Sequence, residues 1–350
     1  MKKFVVVDVD IPQLQSNKMF DRALAGRVSH TILPLCYLHE QAALEEIELM
    51  TPDIYDSRKN EPHRAVLMSH MITANTDRLI REGVKPVLLF SQESPLIAFR
   101  FFALLKKYAR RFENTMIFIG FRKQVEAAGS NYYPMYFPEP YPATVVASEP
   151  WKSKKFATMI SGNKRVPFTW KRFLAGVLCG KFYREFYKER LAVVENFADK
   201  GFDLFGMGWQ KPMPGETASL RGAINRCYKG PVDDKIATVR NYKFAFAFEN
   251  TSAPGYVTEK IFDVMVAGSV PIYLGAPDIA SFVPAEAFIN MRNYASLADL
   301  ERDLLQMDEA RYNAYISAIN RFLESEDYRK FTQTEFAITV LAILRPHFSK

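Results

Sequence analysis

The run Tyr242-Lys-Phe-Ala-Phe-Ala-Phe248 is apolar and ends in the polar pair Glu249-Asn250, and a second apolar run, Val270-Pro-Ile-Tyr-Leu274, follows after a helical spacing of Ile261, Val264, Met265 and Ala267. Gly268 stands where that helix must stop. Strand, helix and strand in this order call for a parallel sheet covered on both faces, because parallel neighbours need a crossover and the crossover helix buries the sheet. The same alternation recurs along the chain. Short apolar runs at residues 4–9, 86–90, 116–120, 156–161 and 202–205 read as strands. Residues 76–82, 97–112 and a long region through 181–200 read as helical, and residues 297–323 and 334–344 as amphipathic helices. The fold class is therefore α/β with two Rossmann-like doubly wound lobes and an interlobe cleft. A length of 350 residues exceeds what one core usually holds. Pro134, Pro138, Pro140, Pro142 and Pro150 crowd residues 132–155 and mark a linker. The expected division is 1–150, 151–325 and a C-terminal helix at 326–350 that packs back on the N-terminal lobe.

Hydrophobic content of 48% and charged content of 24% fit an ordinary globular protein. A formal charge of +7 favours an anionic partner. The basic residues are dispersed, with clusters at Lys106-Lys107-Tyr108-Ala109-Arg110-Arg111 and Lys152-Ser153-Lys154-Lys155 and no nucleic-acid-binding motif, so nucleic acid is not expected. Weak peripheral contact with an anionic inner leaflet is compatible with those clusters. Cys36, Cys179 and Cys227 are odd in number and never spaced C-x-x-C, which argues for a reducing, cytoplasmic setting and against a zinc site. The start, Met1 to Asp10, reads as a first strand, not a signal segment, and no stretch reaches the ~20 apolar residues of a membrane span. Asp8-Val9-Asp10 has the Asp-x-Asp spacing of metal-dependent transferases, but it lies inside a strand with no second ligand pattern. It is expected to be a strand edge or solvated face, and no metal or other cofactor is expected. Scattered histidines and the lack of a G-x-S-x-G or Walker loop lower the zinc-enzyme, hydrolase and NTPase readings.

Ligands of open α/β sheets sit beyond the carboxyl ends of the strands, which is where Glu249 and Asn250 fall. Thr258 is a good N-cap and would leave first-turn amides open to an anion. Lys260 in that first turn faces the positive end of the helix dipole, at a cost of some tenths of a kcal/mol that a bound phosphate would reverse. An ordinary crossover with a solvated lysine fits these residues equally well.

Several separated blocks tip the balance. Lys243-Phe244 through Phe248-Glu249-Asn250, Tyr256-Val257-Thr258-Glu259-Lys260-Ile261, Ala267 through Pro277, Phe282-Val283-Pro284 and Phe288-Ile289-Asn290 together resemble the signature of the α1,3/4-fucosyltransferase family, glycosyltransferase family 10, in a bacterial-type member. The resemblance implies a GT-B fold, a C-terminal lobe that holds GDP-fucose, and inversion at the anomeric carbon. Carried over residue by residue, it makes Lys260 a diphosphate ligand, Glu259 a partner of sugar or ribose hydroxyls, and Asn250 and Tyr256 donor-site positions. Phe156 to Asn163 resembles the family strand that precedes a diphosphate-binding arginine. Arg184 takes that role, with Arg165, Arg172 and Arg190 as competitors. Ser91-Gln-Glu93-Ser-Pro95 resembles the block whose glutamate is the general base, so Glu93 is the catalytic candidate. Residues 116–122 fit the family loosely, and the first 85 resemble nothing useful.

The implied reaction is fucose transfer from GDP-fucose to a hydroxyl of a GlcNAc-containing oligosaccharide or lipid-linked glycan, in surface polysaccharide or lipopolysaccharide synthesis. Alternatives are a GT-B transferase with another nucleotide sugar and a non-catalytic nucleotide- or glycan-binding protein on the same scaffold. Acceptor, regiochemistry and oligomeric state are not legible in these residues.

Overall fold

The computed structural model describes residues 1–9, 11–24, 32–141, 149–164 and 184–349. Asp10, Arg165 and Arg172 lie outside them. The chain divides into one unit of Met1–Pro142 with Lys330–Lys350 and a second of Ala143–Arg329.

The first unit is built on β1 (Lys2–Val9), β2 (Ile47–Met50), β3 (His63–His70), β4 (Lys85–Phe90), β5 (Asn114–Ile117) and β6 (Asn131–Pro134). They form one sheet in the order β2-β1-β3-β4-β5-β6, with every pair parallel. Val5, Val6 and Val7 are successive and all fully buried, which only a sheet covered on both faces allows. The chain steps from β1 outward to β2 and then crosses to β3 on the other side, so the switch point of this sheet lies between β1 and β3. Helix α1 (Leu33–Ala43) packs against the C-terminal helix Gln333–Leu344, and Arg345 clasps Glu45 at 2.8 and 2.7 Å just beyond it.

The second unit repeats the plan with β7 (Lys155–Ile160), β8 (Phe202–Phe205), β9 (Tyr228–Gly230), β10 (Tyr242–Phe248), β11 (Val270–Leu274) and β12 (Ile289–Asn290). Its order is β12-β11-β10-β7-β8-β9, again all parallel. Counted within the unit this is 3-2-1-4-5-6, the dinucleotide-fold order, with its crevice between β7 and β10. Helix α3 (Tyr187–Phe197) covers one face, where Phe197 and Phe202 meet Phe246 edge-on. Helices α4 (Lys235–Val239) and α5 (Glu259–Val266) cover the other. Gly268, with φ +72°, ends α5 in the left-handed region that glycine enters most easily.

Four expectations are corrected. Residues 97–112 form two short helices, Phe99–Ala103 and Leu105–Ala109, because Leu104 leaves helical geometry (φ −111°, ψ 12°). The strand expected at 116–120 ends at Ile117, and Ile119–Phe121 is a 3₁₀ turn. The linker expected from residue 132 begins instead as edge strand β6, whose outer position tolerates Pro134. Asp8 is fully buried, not on a solvated face: Thr73 and Thr76 donate hydroxyl hydrogen bonds to its Oδ2 at 2.5 and 2.6 Å. No helix among the described residues is long and apolar enough to cross a membrane.

Candidate functional site

A cavity of about 230 Å³ opens at the switch point of the second unit. Its floor follows from sequence alternation on β10. Phe244, Phe246 and Phe248 share one side of the strand, which leaves Ala245 and Ala247 on the other, and these small residues line the cavity with Met159, Val239 and Val264. Ser161, Gly162 and Lys164 after β7, and Asn250 after β10, complete the wall at the carboxyl end.

The charged groups come from α3, α4 and α5. Arg190 on α3 is 7% exposed, and its guanidinium braces the ends of two strands. It donates to the carbonyls of Phe248 (2.5 Å) and Glu249 (2.9 Å), to Asn250 Oδ1 (3.2 Å) and to Ser161 Oγ (3.3 Å). Burial lowers its pKa from the usual arginine value. On α5, Lys260 Nζ donates to Thr258 Oγ1 at 2.9 Å and Glu259 Oε1 at 3.0 Å and lies 3.3 Å from Glu249 Oε2. One turn on, Asp263 pairs with Lys235 of α4.

Burial alone would lower the Lys260 pKa, but Glu249 and Glu259 outweigh it and hold it above the ordinary lysine value. Burial likewise pushes the Glu259 carboxyl up, and Lys260 and Lys235 overcome it, down to about 2. For Glu249, fully buried, desolvation wins and the pKa is raised despite Lys260. The ammonium is thus charged and held between carboxylates, one of which takes up a proton more readily than usual.

The helix end differs from the expectation. Thr258 stands at the N-cap but makes no capping bond, because its amide and hydroxyl both donate to Glu249, each at 2.8 Å. Glu249, expected beside the ligand, is instead the buried brace of the loop. Asn250, Glu259 and Lys260 come together in the cavity. Tyr256 is 2% exposed and does not line it. Arg184 does not line it either; its side chain is 64% exposed and 3.3 Å from Glu189, while Arg190 occupies the wall. Asp263 and Lys235 were not foreseen, although an acidic residue four positions after Glu259 on one helical face was a readable signal.

Glu93 belongs to the first unit, in the turn after β4. It is half-buried, and its amide donates to Ser91 Oγ at 3.3 Å, while the Gln92 amide donates to His70 Nε2 at 3.4 Å. That bond requires a neutral ring at Nε2, and burial pushes the His70 pKa down to about 4. Lys154, counted in the basic cluster, is buried and donates to the carbonyls of Arg240 (2.8 Å) and Gly268 (2.7 Å), so that cluster is not a continuous surface patch.

Fold and cavity define a doubly wound domain with a charged ligand crevice at its switch point. Residues 215–336 match the sequence model of glycosyltransferase family 10 (fucosyltransferase), C-terminal part. Over 95 residues the chain is 39% identical to a putative fucosyltransferase-like protein of Arabidopsis thaliana, covering 26% of this chain and 18% of that protein. Over 85 residues it is 38% identical to the human α-(1,3)-fucosyltransferase 7, covering 23% and 25%. The chain therefore spans about a quarter or less of the length of these curated relatives. Among solved structures, an α1,3-fucosyltransferase with GDP superposes with a TM-score of 0.52 at 14% identity, over 98% of this chain and 90% of that one. An Anabaena protein in complex with UDP-glucose gives 0.55 at 11% identity, over 99% and 100%. At such identities the likeness is one of fold, two parallel-sheet α/β domains of the GT-B type. The segment 215–336 is thus similar in sequence to the C-terminal part of glycosyltransferase family 10, the fucosyltransferases.

Proposed function

We propose that this chain is a fucosyltransferase that moves fucose from GDP-fucose to a hydroxyl of a GlcNAc-containing glycan, with inversion at the anomeric carbon. The observation that carries the reading is Lys260, set in the first turn of α5, charged, and facing the switch-point cavity beside Arg190 and Glu259. The cavity is smaller than the roughly 300–1,000 Å³ of complete small-molecule sites, which suits part of a nucleotide sugar. Lys260 and Arg190 offer positive charge to a diphosphate, and Glu259, ionised and partly exposed, accepts hydrogen bonds from hydroxyls of ribose or sugar.

In the proposed step the acceptor oxygen forms a bond to the anomeric carbon while its proton passes to Glu93. The bond from that carbon to the diphosphate oxygen breaks, and GDP leaves with the electron pair. Cations at the leaving diphosphate lower the barrier because charge develops there in the transition state. The acceptor side rests on the family resemblance of Ser91 to Pro95. Surface polysaccharide or lipopolysaccharide precursors, modified on the cytoplasmic side, are the proposed acceptors.

Mass spectrometry of products after incubation with a donor panel and N-acetyllactosamine-type acceptors tests the reading. A single added deoxyhexose from GDP-fucose, and none from UDP-sugars, is expected. Binding of GDP without transfer to any acceptor would favour a non-catalytic protein, and transfer from a UDP-sugar would favour another donor class.

A further inference from the structure

Outside the cavity, two arginines of the second unit meet at the loop that follows β10. Glu185 bridges antiparallel to Thr251, and the carbonyl of Arg184 accepts from Thr251 Oγ1 at 2.7 Å and from the Ser252 amide at 3.0 Å. These bonds fix the backbone of Arg184 beside the loop. Arg292, after β12, donates through one nitrogen, Nη2, to the carbonyl of Gly275 at 2.7 Å and to Ser252 Oγ at 3.3 Å. Its Nε and Nη1 have no hydrogen-bond partner among the described residues. The guanidinium carbons of Arg184 and Arg292 lie 5.6 and 5.9 Å from the centre of the Phe186 ring.

Between them the two arginines have one carboxylate partner among the described residues, Glu189. Arg184 pairs through Nη2 with Glu189 Oε1 at 3.3 Å, with a side chain 64% exposed, where solvent screens the pair. Arg292 forms no ion pair among the described residues, and burial followed by repulsion from Arg184 lowers its pKa. Residues 165–183, which precede Arg184, contain no Asp or Glu, so no carboxylate of that segment serves either. Two guanidinium groups held near one aromatic ring with a single, solvent-exposed carboxylate contact between them are arranged for an external anion, and planar forks of N–H donors match phosphate oxygens.

The place of the pair in the site follows from Gly275. A Cβ there would come 2.5 Å from Glu249 Cγ and 2.2 Å from Tyr273 Oη, so the backbone that Arg292 grips is pressed against the same Glu249 that Lys260 faces. We propose that Arg292, acting with Arg184, is a further diphosphate-binding residue of the donor site, gripping phosphate oxygens that Lys260 and Arg190 do not. The inference rests on the donor reading given above. In it the exposed side chain of Arg184 is no contradiction: its partner is the ligand, reached from the loop side and not from within the cavity.

The test is calorimetric binding of GDP and of guanosine to the full chain and to Arg292→Gln. Glutamine keeps an N–H donor but removes both the charge and the guanidinium fork. GDP affinity is expected to fall roughly 10- to 100-fold, with guanosine binding and thermal unfolding unchanged. Arg292→Lys, which keeps charge without the fork, should fall between. Unchanged GDP affinity in Arg292→Gln while Lys260→Ala weakens GDP would overturn the role of Arg292 and leave the donor reading intact. No GDP binding by the unaltered chain would remove both. An equal loss of guanosine and GDP would mean that Arg292 only holds the loop in shape, which also overturns the proposal.

Discussion

The two sheets have the same architecture and opposite switch points. In the second unit the crevice between β7 and β10 is open, floored by alanine and rimmed by Arg190, Lys235, Lys260, Glu259 and Asp263. In the first unit the corresponding place, between β1 and β3, carries a buried hydrogen-bonded cluster. Buried Asp8 takes hydroxyl bonds from Thr73 and Thr76, and Thr76 also meets Ser69 at 2.8 Å. A parallel sheet offers a crevice wherever its strand order reverses, but side chains decide whether the crevice holds a ligand or a structural plug. The functional candidate of the first unit, Glu93, therefore sits away from the reversal, after β4.

The largest effect should break the comparison on the side of the first unit. If that unit supplies the chemistry and the second only the donor site, Glu93→Gln lowers turnover by ~10²–10⁴ with GDP affinity unchanged. Steady-state kinetics beside calorimetry decides it, and unaltered turnover removes Glu93 from the mechanism. Next comes Lys260→Met. Breaking a buried ion pair costs roughly 3–5 kcal/mol, since Glu249 and Glu259 lose their cation. Urea denaturation should show that loss shrinking as pH falls and Glu249 takes up a proton. GDP binding should weaken in parallel, and a variant that binds GDP normally would detach Lys260 from the donor.

These differences explain what could be read beforehand. The strand–helix rhythm from β10 to β11 is legible because burial on both faces demands continuous apolar runs, and Lys260 and Glu259 of the Tyr256 to Ile261 block line the cavity. Invisible was the loop-bracing role of Glu249, since a carboxylate after a strand looks the same whether it faces ligand or a threonine amide. The arginine problem had a similar cause. Arg184 and Arg190 stand in one short segment, and only the fold decides that one lines the cavity wall while the other lies by the loop. In the first unit a Thr-rich plug has no pattern to distinguish it from ordinary helix capping. The matched family segment, 215–336, covers neither Glu93 nor Arg190.

Acidification should separate the two regions further. His70 has its pKa pushed by burial from 6.5 to about 4, so the unfolded chain takes up the proton first. Its contribution to stability is whole above 6.5 and is lost as pH falls toward 4. Glu259 is held at about 2 against an ordinary 4.5, so its contribution is lost only between those values. Glu249, raised by burial, acts in the opposite sense and contributes less as pH rises. Hydrogen exchange followed by mass spectrometry should therefore show β3 and β4 losing protection at higher pH than α5. Simultaneous loss in both, or earlier loss in α5, would count against this assignment, and His70→Asn should abolish the upper window.

The smallest effect tests whether the plug is only structural. Thr73 caps α2 (Ala74–Arg81): its hydroxyl accepts from the amides of Asn75 (3.0 Å) and Thr76 (3.2 Å) while donating to Asp8. Replacing an N-cap threonine by alanine costs about 1 kcal/mol, and Asp8 would also lose one of its two hydroxyl donors. Thr73→Ala should therefore destabilise the chain by about 1–2 kcal/mol in urea. Thr73→Ser keeps the hydroxyl and should restore most of that loss. Neither variant should alter GDP affinity, because nothing in this cluster belongs to the charged crevice of the second unit. A Thr73→Ala chain with normal stability but slower transfer would mean that the first switch point also handles substrate, and the contrast between the two sheets would then have to be given up.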